Sequence, residues 1–126
     1  MNIRKPTDYS AMYAVLDRLM VEELPQVELY FEIGRAVCAR TEKGAAVAAS
    51  EYLQAAYPET IGFSPRNLRR MREFFRIYEN VPELRRLAMK ISWTQNVVIL
   101  EAELTMEERA WYLRAAKQFS WSKKEL

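Results

Sequence analysis

The chain has 126 residues, 50% hydrophobic and 29% charged, with three Trp, seven Tyr and five Phe; that suits one globular domain, too short for two and too apolar to remain unfolded. It contains no histidine and a single cysteine, which removes imidazole-based nucleophilic machinery, imidazole zinc sites, an intrachain disulfide framework and a cysteine metal cluster. The net charge of +2 is unevenly spread: residues 1–64 carry 6 basic and 9 acidic groups, residues 65–90 carry 8 and 3, and residues 91–126 carry 5 and 5, so positive charge concentrates in the middle.

Glycine is scarce, and apolar residues recur at spacings of three and four, so helix is expected throughout and no strand pair is apparent. The N-terminus has no apolar signal-peptide core, and the apolar run Val97 to Leu100 is far too short to span a bilayer, so a cytoplasmic protein is expected. Asp8 is placed to cap a first helix running to about Val21, with Met12, Val15, Leu16 and Leu19 on one face. A second helix is expected from Glu22 or Pro25, with Val27, Tyr30, Phe31, Gly34, Val37 and Cys38 as its apolar stripe. After a break at Thr41 to Gly44, the Ala-rich stretch Ala45 to Tyr57 forms a third, turning Val47, Leu53 and Tyr57 inward.

Pro58 stops that helix and Gly62 permits the next turn. Ser64-Pro65 is a start signal, Ser as N-cap and Pro at the first helical position, for a helix to Tyr78. A short helix follows from Pro82 to about Lys90, and Ser92 caps another from Trp93 to about Glu101. Thr105 to Glu108 matches a capping box opening a helix to about Phe119, and Ser122 is placed to begin a further one. Seven helical segments on short connections predict an all-α, compact irregular bundle, with residues 1–126 as a single domain.

The helix after Ser64 holds most of the functional information. At about 100° per residue, Leu68, Met71, Phe75 and Tyr78 share one side, while Arg66, Arg69, Arg70, Arg72 and Arg76 surround the other. It follows an Ala-rich helix across a Gly-containing turn, the order of a helix-turn-helix whose second helix offers its first residues to a DNA groove. The planar fork of Arg pairs with phosphate or with guanine's acceptor edge, and Ser64 and Asn67 are positioned to add hydrogen bonds near the helix start. The connection from Pro58 to Phe63 is longer than the standard turn. A solvated face, a nucleic-acid surface and a protein-binding surface all fit this pattern.

Other residues read as structural. Trp93, Trp111 and Trp121 are expected in the core, as is Cys38, and Asn96 either caps a neighbouring backbone group or lies near the surface. The pairs Glu22-Glu23 and Glu107-Glu108 stand near expected helix starts, where carboxylates suit the helix dipole. Neither has the third acidic residue or base that metal or acid–base chemistry needs, so no metal, cofactor or catalytic residue is expected.

Four stretches, Val27 to Gly34, Gly62 to Leu68 with Met71, Arg72 and Phe74, Ile91 to Asn96 leading to Leu100, and Glu108 to Tyr112 with Trp121-Ser122, resemble in order and spacing the YhcG-like N-terminal helical domain. The resemblance covers nearly the whole chain. Longer family members join this region to a C-terminal nuclease domain of the PD-(D/E)XK type, whose clustered carboxylates and lysine bind a divalent metal and cleave phosphodiesters. Nothing in this chain is similar to that half. The resemblance thus implies a helix-turn-helix-like domain that directs or regulates a DNA-cutting partner, either a piece of a longer protein or a stand-alone copy. Around Ala45 to Ser50 many relatives are more polar and carry Lys near the helix start, whereas here Lys43 is the nearest basic residue.

Two functions are therefore expected: a non-catalytic DNA-binding domain of a nuclease-family protein, contacting DNA through Ser64, Arg66, Asn67, Arg69, Arg70, Arg72 and Arg76, or an interaction module. In the second, the Tyr, Met and Ala faces of the first two helices pair with a second copy or with the nuclease domain.

Overall fold

Seven helices and no strand make up the regular structure of residues 7–119, the part of the chain that the computed structural model describes. They are α1 (Ser10–Val21), α2 (Gln26–Cys38), α3 (Ala45–Ala56), α4 (Pro65–Tyr78), α5 (Pro82–Ala88), α6 (Trp93–Glu101) and α7 (Met106–Phe119). Trp121 and the helix expected from Ser122 lie outside the described residues.

The caps legible in the sequence set several of these boundaries. Ser64 Oγ accepts from the Asn67 amide at 3.1 Å. Ser92 and Gln95 exchange bonds of 3.1 and 2.9 Å, and Thr105 and Glu108 do the same at 3.1 and 2.9 Å, so α6 and α7 each begin with orphan amides satisfied in both directions. Asp8 acts one residue farther out than expected: its carboxylate accepts from the Ser10 amide and hydroxyl while Tyr9 occupies the N-cap.

Helix α4 is the centre of the bundle, with α2, α3, α5 and α6 packed around it. Against α2 the approach is backbone to backbone. A Cβ built on Gly34 would stand 2.1 Å from the Met71 carbonyl oxygen, so only glycine permits the crossing. The aromatic core lies beside it, with Phe74 edge-on to Phe31, Tyr78 and Trp93 at ring separations of 6.1, 5.0 and 5.3 Å.

Several side chains differ from the sequence-based placement. Phe74, rather than Phe75, is fully buried, because α4 is covered on more than one side and its inward arc is wider than a single stripe. Phe75 is half-buried, with the Arg35 guanidinium 5.1 Å from its ring centre. Val15, Val47 and Tyr57 are also half-buried, and α3 packs inward through the small residues Ala45, Ala46, Ala49 and Ser50 together with Leu53. Trp111 is 55% exposed, because α7 directs Leu113 inward and a residue two positions away points about 200° elsewhere. Cys38 is half-buried, its thiol 3.5 Å from the Arg72 carbonyl oxygen and its pKa raised chiefly by burial.

Two buried polar side chains tie helix ends together. Asn96 Nδ2 donates to the carbonyls of Ala88 and Ser92 at 2.9 and 3.0 Å, which is the backbone-capping alternative for this residue. Arg109, 6% exposed, donates to the Ile99 carbonyl at 3.0 Å, placing a cation at the negative end of α6.

Candidate nucleic-acid interface

The connection between α3 and α4 is long for a helix-turn-helix, and side chains fix its shape. Ser50 Oγ and Gln54 Nε2 both donate to the Phe63 carbonyl, at 2.6 and 2.8 Å, anchoring the loop's end to α3. Asn67 Nδ2 donates to the Gly62 carbonyl at 2.6 Å, and Asn67 Oδ1 accepts from Trp93 Nε1 at 2.9 Å. Gly62 has φ +99, and a Cβ there would lie 2.4 Å from the Tyr30 hydroxyl, so the turn requires glycine on both conformational and steric grounds. Tyr30 also packs edge-on against Trp93 at 4.9 Å. The start of α4 is thereby held to α2, α3 and α6.

This arrangement divides the seven sequence-predicted contact residues. The polar groups of Ser64 and Asn67 are engaged internally, one as a cap and the other as the bridge from Gly62 to Trp93. Arg70 Nε contacts Glu101 at 2.6 Å and is three-quarters buried, so its charge is matched by α6. Arg72 is half-buried, and its Nε is enclosed without a hydrogen-bond partner among the described residues.

Arg66, Arg69 and Arg76 form the outward stripe together with Glu73, which lies 3.9 Å from Arg76. Arg66 and Arg69 make no ion pair among the described residues, and being three apart they sit about one turn from each other at the positive end of α4. The basic surface thus contracts to two adjacent guanidiniums with a third farther along.

The flank formed by α1 and α3 has a different character. Asp17 accepts hydrogen bonds from Tyr52 at 2.5 Å and Tyr57 at 2.7 Å; they hold its carboxyl below the usual range, and the Tyr52 phenol is pushed up to about 12, first by that same bond. Tyr13 stacks on Tyr52 at 4.2 Å, and the exposed Glu51 adds a second negative charge. α3 carries no basic residue, so it offers no cation of its own on this flank. Sequence spacing conveyed neither the Asp17 cluster nor the Arg70–Glu101 pair, whose partners are 35 to 40 and 31 residues apart.

Among the described residues, no group of three His, Cys, Asp or Glu side chains is placed to hold a metal ion, and no helix is long and apolar enough to cross a membrane. Residues 20–126 match the model of the DUF1016 N-terminal domain. The chain belongs to that family. No curated protein and no solved structure matches it. The DUF1016 N-terminal match assigns no activity; it takes in α2 to α7 and begins near the end of α1.

Proposed function

We propose that this domain is a non-catalytic DNA-binding module that places an associated nuclease on its substrate, with Arg66 and Arg69 as the principal phosphate contacts and Arg76 as an outlying one. One observation carries the reading. Two exposed guanidiniums without carboxylate partners among the described residues stand on adjacent turns at the N-terminal end of a helix whose position is fixed from three sides. Arginine forks and the positive end of a helix both favour phosphate oxygens, and fixing the helix in advance reduces the ordering cost of binding. The association with a nuclease rests on the resemblance to YhcG-like proteins, in which such a helical domain precedes a PD-(D/E)XK domain.

The test is fluorescence anisotropy of a labelled duplex over a range of salt concentrations. Affinity is expected to fall steeply with salt, and replacing Arg66 and Arg69 together with Ala should lower the magnitude of the log–log slope by about 2, near 0.9 per lost phosphate contact. Arg70→Ala should leave that slope unchanged, since its charge already meets Glu101. Absence of duplex binding at low salt, or full binding by the double variant with its helical content intact, would overturn the proposal.

A further inference from the structure

Away from the outward stripe of α4, the described residues form a cleft of about 710 Å³ between α1, α2 and α5. Its floor is apolar, built from Val15 and Leu19 of α1, Phe31 and Ala36 of α2, and Met89 where α5 ends. The α2 wall runs from Glu28 to Ala39 at spacings of three and four, a face about 16 Å long at 1.5 Å per residue. That is the length of a three-turn helix.

The charges at the rim are not balanced. Glu22 and Glu32 already have cations, Arg18 at 3.5 Å and Arg35 at 2.8 Å. Arg85 and Arg86 reach no carboxylate among the described residues, and Arg85 is half-buried with its guanidinium carbon 5.2 Å from the Phe31 ring centre, held over the floor. The third carboxylate, Glu28, lies in the first turn of α2 and has no cation partner among the described residues. The cleft therefore presents an apolar trough with two unpaired cations on its α5 side against one unpaired carboxylate on the α2 side, a net positive rim.

We infer that this cleft is a docking groove for an amphipathic helix of a partner protein, whose apolar side chains at helical spacing fill the floor and whose carboxylates meet Arg85 and Arg86. Helix-in-groove recognition needs both parts, apolar anchors that exclude water and flanking charge that sets register. A nucleic-acid backbone would have to place phosphates over the apolar floor at a desolvation cost, and a membrane surface favours a convex apolar face over a concave one.

A displayed library of random helical peptides, selected on the full chain, tests the inference without assuming a partner. Enriched peptides should carry apolar residues at i, i+3 or i+4 and i+7 with Asp or Glu beside them, and should shift backbone amide resonances of cleft residues such as Leu19, Ala36 and Met89. Reversing both cations, Arg85→Glu with Arg86→Glu, should weaken the selected peptides by on the order of tenfold or more. Because Arg85 also packs on Phe31, a second variant, Ala39→Trp, blocks the cleft from an exposed position and should give the same loss. The inference is overturned if enriched peptides are basic or lack helical spacing, if both variants bind them unchanged, if the shifts fall elsewhere, if a DNA duplex and not a peptide perturbs the cleft, or if the free chain buries it by self-association.

Discussion

Replacing Gly34 with Ala sets two physical effects against each other at one atom. Local propensity favours the change, since Gly within a helix costs about 1 kcal/mol relative to Ala. Packing opposes it: the new methyl would lie 2.1 Å from the Met71 carbonyl oxygen, 2.8 Å from the carbonyl carbon and 3.0 Å from Phe75 Cβ. Two of those atoms are backbone, so no rotamer change relieves the clash, and α2 must shift by about 1 Å along its contact with the central helix. Overpacking typically costs about 1–3 kcal/mol, and a clash with backbone belongs at or above the upper end. The net expectation is a loss of about 2 kcal/mol, or roughly 8 °C at about 4 °C per kcal/mol for a domain of this size. Urea and thermal unfolding read the change directly, and Gly44→Ala is the control, since a Cβ there meets only the Tyr9 hydroxyl at 3.4 Å. A Gly34→Ala protein as stable as the parent would refute the backbone contact and the α2–α4 packing built on it.

Two further outcomes follow from the polar network. Asn67→Ala removes the bonds to Gly62 and Trp93 together, leaving groups unsatisfied at the start of α4; stability should fall by about 1–3 kcal/mol, visible in thermal unfolding, so any accompanying loss of DNA affinity reports misplacement of Arg66 and Arg69. The Asp17 cluster predicts opposite limbs of a pH profile. Its depressed carboxyl stabilises the fold above the ordinary value of 3.8 and loses that contribution as pH falls through the lower folded value, whereas the raised Tyr52 phenol contributes below 10.0 and loses it as pH rises through about 12. Asp17→Asn should move the highest phenolate absorbance transition down towards 10.0 and reduce the acid limb, to which Asp8, Glu42 and Glu108 still contribute; an unchanged phenol titration would show that the hydrogen bond is absent in solution.

What the sequence conveyed was governed by distance along the chain. Ser64, Ser92 and Thr105 announced their helices because a cap acts within three residues, and the break at Pro58 is equally local. The basic character of α4 was visible too. Its division was not, since Arg70 is matched by Glu101 and Asn67 by Trp93, partners on a helix that begins fifteen residues after α4 ends; the intervening segment gives no sign of where α6 will lie. Phe74 and Phe75 show the same limit. Periodicity predicts one buried stripe, but a helix at the middle of a bundle is covered on several sides, so the more buried of two adjacent aromatic residues depends on neighbours that only the fold identifies.

The bond from Trp93 to Asn67 also bears on how the chain is assembled during synthesis. Helices α1 to α4 leave the ribosome before residue 93, so Gly34 and Met71 are available to meet while α6 is still unmade. Until the indole arrives, Asn67 Oδ1 has only solvent to accept from, and the first turn of α4 is anchored on the loop side alone. The nascent domain can thus acquire its central crossing early and its arginine alignment late. A chain released before α6 would retain the helix that carries Arg66 and Arg69 without the tie that orients it.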